Sequence, residues 1–421
     1  MKILIKNATT LNNGVQDIGI ENGTISFIGS APANFPPDEI IDATNCIAMP
    51  GLVNAHTHAA TALQRNLADD CAFSEWLFER VIPFENKLSG DDVYWGTQLA
   101  IAEMIRGGTT CFADMYLQAH NPQVAQAVTE TGIRANLCYG PIISAARGGG
   151  QIINEQGCRD FIAQWNNASD GRIKTFVEIH SLFLYDTEAI QGAAALAKSL
   201  GLPIHMHLSE SLAEEETTFQ KYGKTPPQMC ADLGVFDVPT LLAHCVQLND
   251  EDIKLLASKQ AYVAHNPTSN LKLGNGIAPI EKMLQAGVKV ALGTDGCASN
   301  NNLNMFEEMH LATILHKGVN KDATSISASQ VLAMATHTGA QALGFNDCGQ
   351  LEAGKKADLI LVDTNQPHLC PLGEPTAAIA YSAQAGDVRD VIVNGKILMR
   401  NKELKTVDEE KAMTMARKIR G

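Results

Sequence analysis

Between residues 51 and 295, short apolar runs recur eight times, with longer segments of helical periodicity between them. The runs are "GLVNAHTH" (51–58), "TTCFADM" (109–115), "IRANLCYG" (133–140), "IKTFVEIH" (173–180), "LPIHMHL" (202–208), "TLLAHC" (240–245), "AYVAHN" (261–266) and "VKVALGTD" (288–295). Stretches such as "DDVYWGTQLAIAEMIRGG" and "TEAIQGAAALAKSLG" lie between them and carry the helical pattern. Strands that alternate with helices build parallel βαβ units. Eight such units in roughly 250–300 residues suit a closed (β/α)8 barrel. One more helical pattern, "SASQVLAMATHTGAQALG", opens with a capping box at Ser327 and Gln330 and is expected to run to Gly344.

Both ends of the chain have a different texture. Residues 1–48 read as short strands broken by turns, and "ADLILVD" (357–363) and "VRDVIVNGKILMR" (388–400) continue that pattern near the other end. Asn-Gly pairs at 22–23 and 394–395 mark hairpins, because such turns need positive φ at both central residues. The two ends are expected to meet in one small β-sandwich. The expected division is 1–49 for its first part, 50–346 for the barrel, and 347–421 for its second part with a C-terminal helix.

Bulk properties narrow the partners. The formal net charge is −14, without a lysine- or arginine-rich run, and such a surface repels nucleic acid and anionic lipid. A run of about 18 apolar residues, as a membrane span needs, is not found. Lys6 and Asn7 interrupt any signal-peptide core in "MKILIKNATTL", so a cytoplasmic location is expected. The ten cysteines are scattered without C-x-x-C spacing and read as reduced, mostly packed thiols. Cys71, Cys111, Cys245 and Cys297 lie near the motifs but are read as packing. A small-molecule substrate is the expected partner, and a homo-oligomer is compatible with the composition.

Chemistry collects where the runs end. Six close on an ionisable group, His58, Asp114, His180, His207, His244 and Asp295, and His265 closes another. A (β/α)8 barrel brings all these ends to one face, where active sites of that fold lie. His56 and His58 share one face of their strand, about 7 Å apart along it. His56, His58, His207 and Asp295 offer three imidazoles and one carboxylate. That donor set suits one divalent borderline metal, zinc first, with iron or manganese as alternatives. Water in the remaining position would have its pKa lowered towards neutrality, and His244 stands near to handle a proton. The fourth run ends Glu178-Ile179-His180 without a lysine, so a carbamylated lysine bridging two metals is not expected.

With these residues in view, the chain resembles the amidohydrolase superfamily. "PGLVNAHTH" resembles its first-strand metal motif, "LLAHC" its sixth-strand histidine, "ALGTDG" its eighth-strand aspartate, and "GQLEAGKKADLILVD" its return to the flanking sheet. Within it, "FSEWLFERVIPFENKL" (73–88), "HMHLSES" (205–211), "AHCVQL" (243–248) and "HNPTSNLKLGNGI" (265–277) resemble the 5-methylthioadenosine/S-adenosylhomocysteine deaminases. That resemblance selects His207 over His205 as the metal ligand and implies roles for other residues. Glu210 would shuttle a proton to a ring nitrogen, Trp76 would cover the base, Glu85 would accept the ribose hydroxyls, and His180 would contact the nucleoside. Tyr139 stands where the group can carry an arginine for a substrate carboxylate, and Arg147 in "SAARGGG" is the candidate replacement. The implied reaction is hydrolytic deamination of adenosine, 5-methylthioadenosine or S-adenosylhomocysteine, with Asp295 as base. Two alternatives stay open: turnover of another heterocycle of guanine or triazine type, and an inactive metal-binding barrel that serves as a binding protein.

Overall fold

A computed structural model of the chain describes residues 1–12, 14–116, 120–144 and 151–421. The eight apolar runs form eight parallel strands: β1 (Leu52–Thr57), β2 (Thr109–Asp114), β3 (Arg134–Tyr139), β4 (Ile173–Glu178), β5 (Ile204–Leu208), β6 (Thr240–His244), β7 (Tyr262–His265) and β8 (Lys289–Leu292). They pair in chain order, each parallel to the next. Residues on both faces of β1, β2 and β3 are buried, as in strands with helices outside and a packed interior.

Side chains and loop backbone close the seam between β8 and β1. Asp295 N–H donates to the His56 carbonyl (2.9 Å) and Thr294 N–H to Asn54 Oδ1 (3.0 Å). Asn54 Nδ2 returns a bond to Thr294 Oγ1 (2.7 Å), and Thr57 Oγ1 donates to the Asp295 carbonyl (2.9 Å). The closure therefore locks the end of β1 to the residue that carries the eighth strand's carboxylate. The expected (β/α)8 barrel is present.

Small residues fill the lower interior. Val53, Ala55, Cys111, Ala113, Cys138, Phe176, Leu241, Ala264 and Ala291 pack there from seven strands, with Leu343 and Phe345 beneath. The fifth strand contributes His205, whose ring lies 5.3 Å from that of Phe176.

Among the described residues, the two ends of the chain form one mixed sheet of nine strands. Its join is antiparallel pairing of Cys46–Pro50 with Leu359–Asp363. Both Asn-Gly turns are present, with positive φ at Asn22 (51°), Gly23 (80°), Asn394 (50°) and Gly395 (72°). Arg134, at the start of β3, ties barrel to sheet: its Nε and Nη2 donate to the two oxygens of Asp358 at 2.7 and 3.1 Å. The last helix, Glu409–Arg420, docks on Gly90–Arg106, where Arg106 pairs with Glu409.

One helix differs from expectation. The capping box at Ser327 is formed, but the helix stops at Met334 and a second begins at His337. The cause is visible at Ala335, whose carbonyl accepts from Val53 N–H (2.8 Å) of β1. Among the described residues, no helix is long and apolar enough to cross a membrane.

Candidate metal centre and active-site cavity

Two histidines set the protonation pattern of the site. His58 Nδ1 lies 2.7 Å from the Met115 carbonyl, and His207 Nδ1 lies 2.7 Å from the His180 carbonyl. A carbonyl only accepts, so both Nδ1 atoms carry hydrogen. The Nε2 atoms then face each other at 3.3 Å, and in neutral rings two lone pairs at that distance repel unless a proton or a metal cation lies between them. Asp295 Oδ1 is 3.3 Å from His58 Nε2 and 3.5 Å from His56 Nε2. His56 Nε2 is buried and makes no hydrogen bond. Its Nδ1 faces His205 Nε2 at 3.1 Å, and His205 Nδ1 faces Cys138 Sγ at 3.4 Å. His205 thus stands behind His56 and orients it, as partners of metal-bound histidines do.

Donor atoms of His56, His58 and Asp295 lie within 4.8 Å of one another, and so do those of His56, His207 and His244. A buried nitrogen without a partner, two opposed imidazole nitrogens and one carboxylate can hold a divalent ion. They fit the nitrogen-rich donor set of zinc.

Burial and charge divide the titration of the cluster. Desolvation lowers His56 to about 3 and takes His205 and His207 well below the usual range. Desolvation works against charge at His58 too, but its contact with Asp295 lifts it to about 9. Asp295 is also penalised by burial, and close contact with the His56 and His58 rings still holds it well below the carboxylate range. Its other oxygen, Oδ2, accepts from Ser269 and Ser299, each at 2.7 Å. Asp295 (φ 61°) and His244 (φ 74°) both adopt left-handed backbone, a strain found at functional sites.

A cavity opens over this centre. His58, Trp76, Glu85, His180, Glu210 and Asp295 line it, and Phe73, Leu77, Val81, Ile82 and Phe183 form an apolar wall. Trp76 starts a π-helical turn, a distortion frequent at functional sites, and its Nε1 donates to the Ala298 carbonyl (3.0 Å). Glu85 ends the following helix and is 6% exposed, far from a surface charge; burial pushes it up to about 7. Burial raises Glu210 as well. His244 Nε2 lies 4.0 Å from Glu210 Oε1 and 3.9 Å from Asp295 Oδ2, between the two carboxyl groups.

The structure thus gathers His56, His58, Trp76, Glu85, His180, His207, Glu210, His244 and Asp295 at one barrel rim. Arg147 lies outside the described residues. Two strand-end groups serve elsewhere: Asp114 Oδ1 accepts Ala59 N–H (2.7 Å), and His265 Nε2 meets His316 Nε2 (3.2 Å). Sequence reasoning missed the residues that orient the site. Glu178 Oε1 accepts from His180 Nδ1 (3.0 Å), and Asn270 Oδ1 accepts from His244 Nδ1 (2.8 Å). Asn275 Nδ2 donates to Glu210 Oε1 (3.0 Å). The only signal for the last two was the dense polar pattern of 265–277.

The comparisons with known proteins agree with this geometry. The model of the amidohydrolase family matches residues 47–398. The 5-methylthioadenosine/S-adenosylhomocysteine deaminase of Acetivibrio thermocellus is 50% identical over 430 residues, covering 100% of this chain and 99% of that protein. The protein of the same name from Thermoanaerobacter pseudethanolicus is 46% identical, covering 98% of this chain and 97% of its own length. Among solved structures, a zinc-bound adenosine deaminase from Xanthomonas campestris superposes with a TM-score of 0.92 at 33% identity, over 99% of this chain and 97% of that one. Strand order, the converging donors and these full-length similarities lead to one assignment: the chain belongs to the amidohydrolase family.

Proposed function

We propose that the protein hydrolytically deaminates an adenosine-type nucleoside, giving the inosine analogue and ammonia. The observation that carries this reading is the meeting of a metal-competent histidine cluster with two differently placed buried carboxyl groups, Glu85 and Glu210, in one cavity. The relatives named as deaminases support it over the whole chain length.

His56, His58, His207 and Asp295 would hold one divalent ion, Zn2+ by donor set, which supplies Lewis acidity and a water acidic near neutral pH. The residues around it handle binding and protons. Glu85 accepts the ribose diol, for which two carboxylate oxygens are suited. Trp76 covers the base and His180 contacts the nucleoside. Glu210, whose protonated form burial favours, gives its proton to N1 as hydroxide adds to C6. Asp295 takes the proton lost by water, and His244, held at Nδ1 by Asn270, steadies the charge between the two carboxyl groups. The C6–N6 bond then breaks, N6 takes the proton held by Asp295 and leaves as ammonia, and the C6 hydroxyl returns a proton to the ionised Glu210 as it becomes the carbonyl.

5-Methylthioadenosine, S-adenosylhomocysteine and adenosine all fit the reading, with Arg147 the candidate anchor for a substrate carboxylate. A cytoplasmic location accords with it. The test is incubation with each nucleoside while adenine absorbance and ammonia are followed. Conversion of at least one is expected; failure with every adenine nucleoside by the metal-loaded protein would overturn the reading.

A further inference from the structure

The segment that follows β7 makes one hydrogen bond to each of three proton-handling groups. Ser269 Oγ donates to Asp295 Oδ2 (2.7 Å), Asn270 Oδ1 accepts from His244 Nδ1 (2.8 Å), and Asn275 Nδ2 donates to Glu210 Oε1 (3.0 Å). Asn275 is itself firmly held. Its N–H donates to the Asn270 carbonyl (2.9 Å), and its own carbonyl accepts from Gln247 Nε2. Gly274 (φ 69°) and Gly276 (φ 112°) on either side supply the positive φ of this tight turn. Glu210 is fixed from its backbone too, because Glu210 N–H donates to Glu214 Oε2 at 2.9 Å.

We infer that Asn275 is a positioning residue for the general acid: its amide occupies Oε1 of Glu210 and so reserves Oε2 for the proton delivered to the substrate. An N–H donor bonds best to the unprotonated oxygen of a carboxyl group, so one amide selects which oxygen bears hydrogen. Both side chains are buried, where such a bond is stronger than in water. This inference rests on the deaminase reading.

The charged and titratable groups facing Glu210 are His244 from β6, Asp295 after β8, His58 after β1 and the buried Glu214. These groups are the same in every variant, and beside them the Asn275 bond favours the ionised form of Glu210. Removing it therefore moves the proton loss of the acid to higher pH.

The experiment compares kcat/KM against pH for zinc-loaded wild type, Asn275→Ala and the near-isosteric Asn275→Asp, using 5-methylthioadenosine. The alkaline limb is expected to rise by about half to one pH unit in Asn275→Ala, the worth of one hydrogen bond, and further in Asn275→Asp. The kcat is expected to fall about tenfold in Asn275→Ala, as for a misplaced catalytic group. Binding of the 1-deaza analogue, which has carbon in place of N1, should stay unchanged within about twofold. An unmoved limb, or equal losses of kcat and analogue binding, would make Asn275 a turn residue only and overturn the inference. Should Asn275→Ala fail to fold, Asn275→Asp carries the same comparison. Wild type inactive on all adenine nucleosides would instead remove the deaminase reading, and this inference with it.

Discussion

Glu85 and Glu210 are both buried in one cavity, yet the proposed reaction asks opposite things of them: one would accept hydroxyl hydrogens, the other would give up a proton. For Glu85 the direction of pH dependence follows. Burial pushes its pKa up to about 7, and on the proposed reading a ribose diol would bind the ionised form. Below that pH, binding must first expel a proton, so the Kd of a nucleoside product should rise about tenfold per pH unit. Glu85→Gln should flatten this dependence and raise Kd about 10- to 100-fold, the loss of one or two charge-assisted hydrogen bonds. Titration calorimetry across pH checks both; a Kd of the wild type that is flat through pH 7 would remove Glu85 from the ribose. Glu85 and Glu210 were legible through the resemblance of "FSEWLFERVIPFENKL" and "HMHLSES" to the deaminases, whereas the histidines and Asp295 stood out at run ends. Asn275 and Ser269 were not. Amides and hydroxyls are common on loops, and only three-dimensional closure shows that they meet Glu210 and Asp295.

The eight strands could be read from their apolar runs because both faces of each are covered, so burial leaves a continuous signature. Helix ends were less legible where tertiary contacts override local pattern. Ser327 to Gly344 has good helical spacing, but the Ala335 carbonyl is taken by Val53 N–H and the helix divides. Gly339 packs there with its Cα side against Val53, where a Cβ would lie 3.0 Å from Val53 Cβ. Gly339→Leu is expected to overpack the contact and cost about 1–3 kcal/mol in urea unfolding. A neutral result would show that this helix pair does not brace β1. The His56–His205–Cys138 line joins β1, β5 and β3 in the same way, and its period-2 spacing in "HMH" was visible while its cross-strand partner was not.

Assembly of the barrel with the terminal sheet relies on Arg134, 2% exposed, paired with Asp358. Arg134→Met would leave Asp358 buried without its cation and should cost about 3–5 kcal/mol of unfolding free energy, with the double variant Arg134→Met/Asp358→Leu recovering part of it. No recovery in the double variant would point to lost packing on Phe345 instead. The site itself is a product of closure: His56 lies on β1 with His58 just after it, His207 lies on β5, and Asp295 follows β8, so only the completed barrel brings them together. Metal content tests this most directly. Protein purified after metal-replete expression, compared with His58→Ala and His207→Ala variants of unchanged fold, should hold about one equivalent of divalent metal in the wild type and little in either variant. Less than about half an equivalent in the wild type, or full retention in both variants, would contradict a single ion held by these four side chains.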